Sequence, residues 1–276
     1  MRINERDACP CGSGFPAAEC CIQQSEPIPG FGLQGYPERF AVGWLLSGSE
    51  QFARFYESER HRITGDLTWA EDTGLPTGVA ARATCNSAGS SVIRLREMPA
   101  PVEHAQLIAH ELGHFLIDLD GFPALAARPD LDWIAAPLNS MLHDPLVGRL
   151  LGSHGFDIRA AYDAEVADAR VHLDPKPIPP ESSSGQLIWT LNYVSKRLDW
   201  DVVKDAGDSD CDGFCEYFRH RYPLLADTGD RVYELIQRVG FDTPTKMATV
   251  LSALRECFEL SDGFHVRFPE GGQFGA

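Results

Sequence analysis

No apolar run in the chain approaches the roughly 20 residues that a membrane-spanning helix requires, so none is expected. Basic charge is also scarce: Lys plus Arg number 24 against 40 Asp plus Glu, a formal charge of −16. A chain this acidic repels phosphate backbones and anionic membrane surfaces. No local basic patch offsets that repulsion, so neither nucleic acid nor membrane is an expected partner. The first residues, 1–7, are polar and no apolar stretch follows them, so a secretory signal is not expected and a cytoplasmic location is. No internal repeat is visible. What remains is an ordinary globular composition over 276 residues, 43% hydrophobic and 23% charged. That length suffices for a sizeable core without disulfides, in one large or two modest domains.

The chain has 8 cysteines, unevenly spread. Cys9, Cys11, Cys20 and Cys21 are clustered near the N-terminus. In a reducing compartment such a cluster points to metal before disulfide. Four thiolates so close can wrap one Zn²⁺ tetrahedrally, with Gly12 and Gly14 letting the backbone turn between the ligand pairs. A reactive thiol cluster or chance disulfides are the plainer alternative. Cys211 and Cys215 lie one helical turn apart with His220 nearby, and read either as a second metal site or as buried thiols. Cys85 and Cys257 have apolar neighbours and read as core.

The run Cys9-Pro10-Cys11-Gly12-Ser13-Gly14, then Cys20-Cys21, resembles the SEC-C motif, whose pattern is C-x-C, eight residues, then C-C or C-H. The usual basic stretch is replaced here by Phe15-Pro16-Ala17-Ala18-Glu19. The resemblance implies a structural zinc, a small independent knob over residues 1–24, and a protein-docking role rather than a reaction. Residues 25–48 hold Pro27, Pro29, Gly30, Gly32, Gly35 and Pro37, and read as a loose linker with little regular structure. Residues 49–276 then form the main domain.

Within it a short helix is expected over 49–60, and strands over Val79–Thr84 and Ser91–Arg96 with a turn at 86–89. Apolar spacing then predicts helices over 102–119, 132–151 and 157–171. A proline- and serine-rich loop over 175–184 precedes helices at 185–200, 210–221, 230–239 and 244–258. The fold class is α+β, mostly α.

The helix over 102–119 carries His110-Glu111-Leu112-Gly113-His114. Residues at i and i+4 share a helix face, so both imidazoles can reach one metal while Glu111 flanks it as a proton acceptor. Zn²⁺ lowers the pKa of a bound water toward about 7, which suits amide hydrolysis. Packed core histidines are the plainer reading. The order of strands, H-E-x-x-H helix and further helices resembles the zincin metallopeptidases. That resemblance implies an edge strand before the helix, here Ser91–Arg96, which holds an extended substrate.

A third protein ligand would leave one position for water. Leu119-Asp120 stands where the metzincin third His would fall, so that subclass is excluded. Asp144, His143 and Glu165 remain. Asp144 is favoured because it lies off its helix's apolar stripe, just before Pro145. His143 reads as exposed. A Glu165 ligand would be gluzincin-like. Asp118, one turn past His114, could support but not ligate. His154, Tyr162 or His172 could stabilise an oxyanion.

The expected function is a cytosolic zinc-dependent peptidase or amide hydrolase, with Glu111 as general base and then proton donor. It would hold two Zn²⁺ ions, one catalytic and one structural, and act on a peptide or protein. The alternative is a non-catalytic zincin-like binding or regulatory protein, its SEC-C head recruiting a partner. Bulk acidity hints at basic or neutral peptides, although it guides poorly at the scale of a cleft.

Overall fold

A computed structural model describes residues 3–63, 67–76, 79–85, 91–173, 183–203, 211–260 and 262–269. The expected turn at 86–89 lies outside the described residues, as does most of the loop at 175–184. The fold is α+β and mostly helical. The chain divides into two compact units: residues 1–116 with 153–156, and residues 117–152 with 157–276. Residues 49–276, read as one domain, thus fall in both.

The first unit is built on a five-stranded sheet of order β1-β2-β3-β5-β4. Its strands are β1 (Glu26–Ile28), β2 (Leu33–Tyr36), β3 (Leu67–Glu71), β4 (Ala81–Cys85) and β5 (Ser91–Leu95). β3 and β5 run parallel, and the other neighbours are antiparallel. Trp69 and Ile93, paired across β3 and β5, are fully buried. β3 escaped the sequence reading because Ala70 and Glu71 are poor strand formers. The edge was also misassigned: β5 is interior, and β4 is the free edge beside it.

This unit also holds helices α1 (Glu38–Ala41), α2 (Gly43–Gly48) and α3 (Glu50–Glu59), together with α4 (Ala105–Leu119) as far as Leu116. Ser49 starts α3, its hydroxyl accepting from the Phe52 N–H at 3.2 Å. Phe52 and Phe55 on one face of α3 are buried, as are Ile108, Leu112 and Leu116 on α4.

Residues 25–48 are therefore not a linker. They supply two strands and two helices, with Phe40, Ala41, Val42 and Leu45 buried. The glycines that suggest a loop have other causes. A Cβ on Gly35 would meet Ile28 Cγ1 at 3.0 Å, so that glycine serves close packing inside the sheet. A Cβ on Gly43 would lie 2.1 Å from the Pro10 carbonyl oxygen. The cysteine loop thus rests on the start of α2 rather than standing as an independent knob. The Arg39 side chain donates to Gln24 Oε1 at 2.6 Å and adds a second tie.

The second unit contains α5 (Asp132–Ser153), α6 (Ile158–Leu173), α7 (Ser183–Val203), α8 (Cys211–Arg221), α9 (Pro223–Val239) and α10 (Pro244–Cys257). Its strands β6 (Ala124–Ala127) and β7 (Phe264–Arg267) pair antiparallel. This ladder joins segments some 140 positions apart, and neither strand has a local period that predicts it. α9 starts seven residues before the helix expected at 230–239 and buries one stripe, with Leu225, Gly229, Val232 and Ile236 inside. A Cβ on Gly229 would lie 2.5 Å from Tyr193 Cδ1, so α7 and α9 meet at that glycine. Thr243 caps α10, accepting from Lys246 N–H at 3.4 Å, and Pro244 occupies the first turn. Cys257, expected in the core, is exposed at the end of α10, where the apolar period has run out.

Gly43→Ala tests the docking of the cysteine loop. The added methyl must displace backbone, so a stability loss of about 1–3 kcal/mol is expected in urea denaturation. An unchanged midpoint would show that the loop does not bear on α2.

Candidate metal centres

The cysteine loop brings its four thiols together. Gly12 and Gly14 adopt φ of 78° and 79°, a conformation open to glycine, and turn the chain between the ligand pairs. The Cys9 N–H donates to the Phe15 carbonyl at 2.8 Å and the Gly12 N–H to the Cys9 carbonyl at 3.1 Å. Short 3-10 turns at Ala17–Glu19 and Ile22–Gln24 flank the second ligand pair. The sulfur atoms all lie within 4.8 Å of one another. Cys11 Sγ is 3.6 Å from Cys20 Sγ, and Cys20 Sγ is 3.8 Å from Cys21 Sγ. Tetrahedral Zn²⁺ with sulfurs at about 2.3 Å requires sulfur separations of about 3.8 Å. The donor set fits that ion.

Electrostatics in this loop favour a cation. Burial pushes the Cys21 thiol up, and the neighbouring Cys9 adds to it. Burial also raises Cys9. Burial pushes Cys11 the same way, but hydrogen bonds led by Ser13 outweigh it and bring this thiol down to about 6. Thiols this close cannot all ionise without a compensating positive charge. Arg39 supplies part of one: its guanidinium faces Cys21. The loop itself carries no signal for Arg39, which arrives from α1.

The second centre begins on α4. His110 Nε2 and His114 Nε2 are 3.1 Å apart, with the rings at 85° to each other. Two nitrogens about 2.0–2.1 Å from a tetrahedral Zn²⁺ would be separated by about 3.4 Å. The pair is thus nearly in position to share one ion. Asp144, the favoured third ligand, is carried by α5 in the second unit.

The other proposed ligands have different partners. Glu165 Oε2 accepts from the Lys196 ammonium. His143 is buried, not exposed, with Nε2 3.0 Å from the Pro123 carbonyl. Burial holds its pKa below the usual histidine value. α5 is buried on more than one face, so a single stripe misjudges His143: Pro145 and Val147 are buried beside Met141 and Leu142. Asp118 is raised to about 6 by burial, which the Arg267 charge opposes.

Of the residues considered for an oxyanion, Tyr162 donates its hydroxyl to the Lys196 carbonyl at 3.0 Å. His154 Nε2 lies 3.4 Å from Glu59 Oε1. The His172 side chain lies outside the described residues. Cys211 and Cys215 are buried, with sulfurs 3.9 Å apart. Among the described residues they belong to no metal-binding group of three.

Glu111 is where the sheet meets this centre. Its Oε2 accepts a hydrogen bond from the backbone N–H of Ala83, on the free edge strand β4. Burial raises its carboxyl to about 7, although the Ala83 N–H and the Arg82 charge both pull it down. A base with a pKa near neutrality is suited to moving protons at neutral pH. Ala83 was within reach of sequence reasoning as part of the strand at 79–84. Its role stayed hidden because strand order, which exposes β4, is a long-range property.

The raised value has a stability consequence in metal-free protein. An acid whose folded pKa exceeds its unfolded one retains its proton longer when folded, so it costs stability as pH rises from about 4.5 to 7. Glu111→Gln removes that cost. In the presence of chelator, the variant should be more stable than wild type at pH 8 by on the order of 3 kcal/mol. The gap should close near pH 4.5, read by denaturant melts across pH. A gap independent of pH would refute the buried-carboxylate account.

No family model matches this chain, and neither a curated protein nor a solved structure matches it. The functional reading therefore rests on the centres' own geometry.

Proposed function

We propose that the chain is a cytosolic zinc-dependent peptidase or related amide hydrolase. One observation carries this reading: the helix that brings two imidazoles within 3.1 Å of each other also carries, next in sequence to the first of them, a half-buried glutamate of near-neutral pKa held by the amide of an edge strand. A purely structural metal site has no use for such a base. The proposed ligands are His110, His114 and Asp144. Three protein ligands leave a coordination position open, whereas closed structural sites more often carry four Cys or His. Zn²⁺ bound there would supply Lewis acidity and a water of lowered pKa.

The chain's own residues then divide the work. Glu111 accepts a proton at a carboxylate oxygen and returns it to the leaving nitrogen. The Ala83 N–H orients the carboxylate. The free edge of β4 offers backbone groups to an extended substrate. Cys9, Cys11, Cys20 and Cys21 hold a second, structural Zn²⁺ and brace α1 and α2. Both the zincin-like and the SEC-C-like character are parts of this proposal. The alternative, a non-catalytic protein recruiting a partner through the cysteine loop, draws on the exposure of Phe15 within that loop.

Two measurements test the proposal. Asp144→Ala should weaken zinc retention at the histidine centre far more than Glu165→Ala, read by chelator competition. The reverse order would transfer the ligand role to Glu165. Zinc-loaded wild type should cleave members of a broad peptide library, lose activity to chelator and regain it with Zn²⁺. Glu111→Gln should be slower by about 10²–10⁴-fold. Equal, chelator-insensitive cleavage by both proteins would mean a contaminant. No cleavage, with zinc confirmed at both histidines, would favour the binding-protein alternative.

A further inference from the structure

Strand β4 presents more than a hydrogen bond to Glu111. The Arg96 N–H donates to the Ala80 carbonyl at 2.8 Å, which sets the phase of the β4–β5 ladder. By alternation Arg82 and Thr84 turn their backbone groups toward β5, while Ala81, Ala83 and Cys85 turn theirs to the free edge. The Ala83 N–H is held by Glu111. The outward carbonyls of Ala81 and Ala83 form a template that an extended peptide can join as a sixth strand.

A strand added there continues the rows of side chains across the sheet. One row runs Gly35, Ala70, Arg94, Arg82. It stops at Arg82, and the next seat belongs to the peptide. Arg82 lies directly opposite Arg94, an arrangement of like charges that disfavours the pair. Arg94 is compensated by Asp72 at 3.2 Å. Arg82 is exposed and has no ion pair among the described residues, although acids outnumber bases in the chain 40 to 24. Its charge reaches the Glu111 carboxylate. An unpaired arginine at the end of a row, on the free edge and beside the proposed base, leaves a seat for a negative charge.

We infer that Arg82 selects an acidic side chain in an extended peptide docked along β4. The inference rests on the peptidase reading for the identity of the docked molecule. It departs from the expectation drawn from bulk charge, which pointed to basic or neutral peptides. At physiological salt, charges farther than about 8 Å are largely screened, so the nearest charge decides a subsite.

The test uses the full chain loaded with Zn²⁺ and fluorescent peptides blocked at both ends. The peptides differ at one scanned position, which carries Glu, Gln or Lys. Anisotropy reads binding and chromatography reads cleavage. At one position, Glu peptides should bind roughly two- to fivefold better than Gln peptides, and Lys peptides worse. The preference should shrink in 0.5 M salt. Arg82→Gln should abolish it and Arg82→Glu should invert it. Binding or cleavage without charge preference, or a preference that survives both substitutions, overturns the inference and leaves the peptidase reading intact. Selective binding without cleavage upholds the inference as recognition and removes the peptidase reading. Failure of every peptide to bind overturns both.

Discussion

Glu111 is half-buried, and one backbone N–H, that of Ala83, holds its carboxyl group. Several features must be in place for that contact to exist. β4 must be the outermost strand, so that Ala83 has an N–H free of the ladder. β5 must lie inside, between β3 and β4, to fix the phase that turns this N–H outward. α4 must run unbroken through His110 and His114, so that one helix carries Glu111 and both imidazoles. Burial then sets the carboxyl near neutrality, where it can both take and return a proton.

The cysteine centre shows a similar dependence on packing. Gly12 and Gly14 shape the loop locally, but its seat on the unit comes from Gly43, which has no side chain to hold Pro10 away. Arg39 brings a positive charge toward sulfurs that burial would otherwise keep protonated. A metal bound here would stabilise the start of α2 as well as its own ligands, since binding to a folded site adds to folding free energy.

The second unit uses its buried charges differently. Lys196 is inside the fold, where burial lowers its pKa, yet the carboxylates of Glu165 and Asp199 more than offset that and raise it. Asp199 Oδ2 is 3.6 Å away, and burial lifts Asp199 to about 6. Removing one member of such a pair costs about 3–5 kcal/mol, because the other is left buried without compensation. Nearby, Tyr193 stacks on Phe218 at 4.7 Å and donates its hydroxyl to Asp230 at 2.8 Å. The same ring lies close to Gly229. One aromatic thereby ties α7, α8 and α9, with its polar end satisfied.

The amino-acid sequence alone determined what depends on near neighbours. Helical apolar spacing located α4 and α5, the later helices were legible as segments although α9 begins seven residues earlier than expected, and C-x-C with C-C located the thiol cluster. The i, i+4 rule brought His110 and His114 together. Asp144 could be singled out by its position before Pro145, although not separated from its competitors. Tertiary structure decided what depends on distant partners. It made β4 the edge instead of β5, paired β6 with β7, buried His143 against Pro123 and exposed Cys257. It also turned residues 25–48 from an apparent linker into part of the sheet and its helices. The physical reason is that a glycine reads the same in a sequence whether it frees a loop or admits a neighbour. At Gly35 and Gly43 the neighbours, Ile28 and Pro10, come within 3.0 and 2.1 Å of where a Cβ would sit. Such contacts are set by packing and have no local period to betray them.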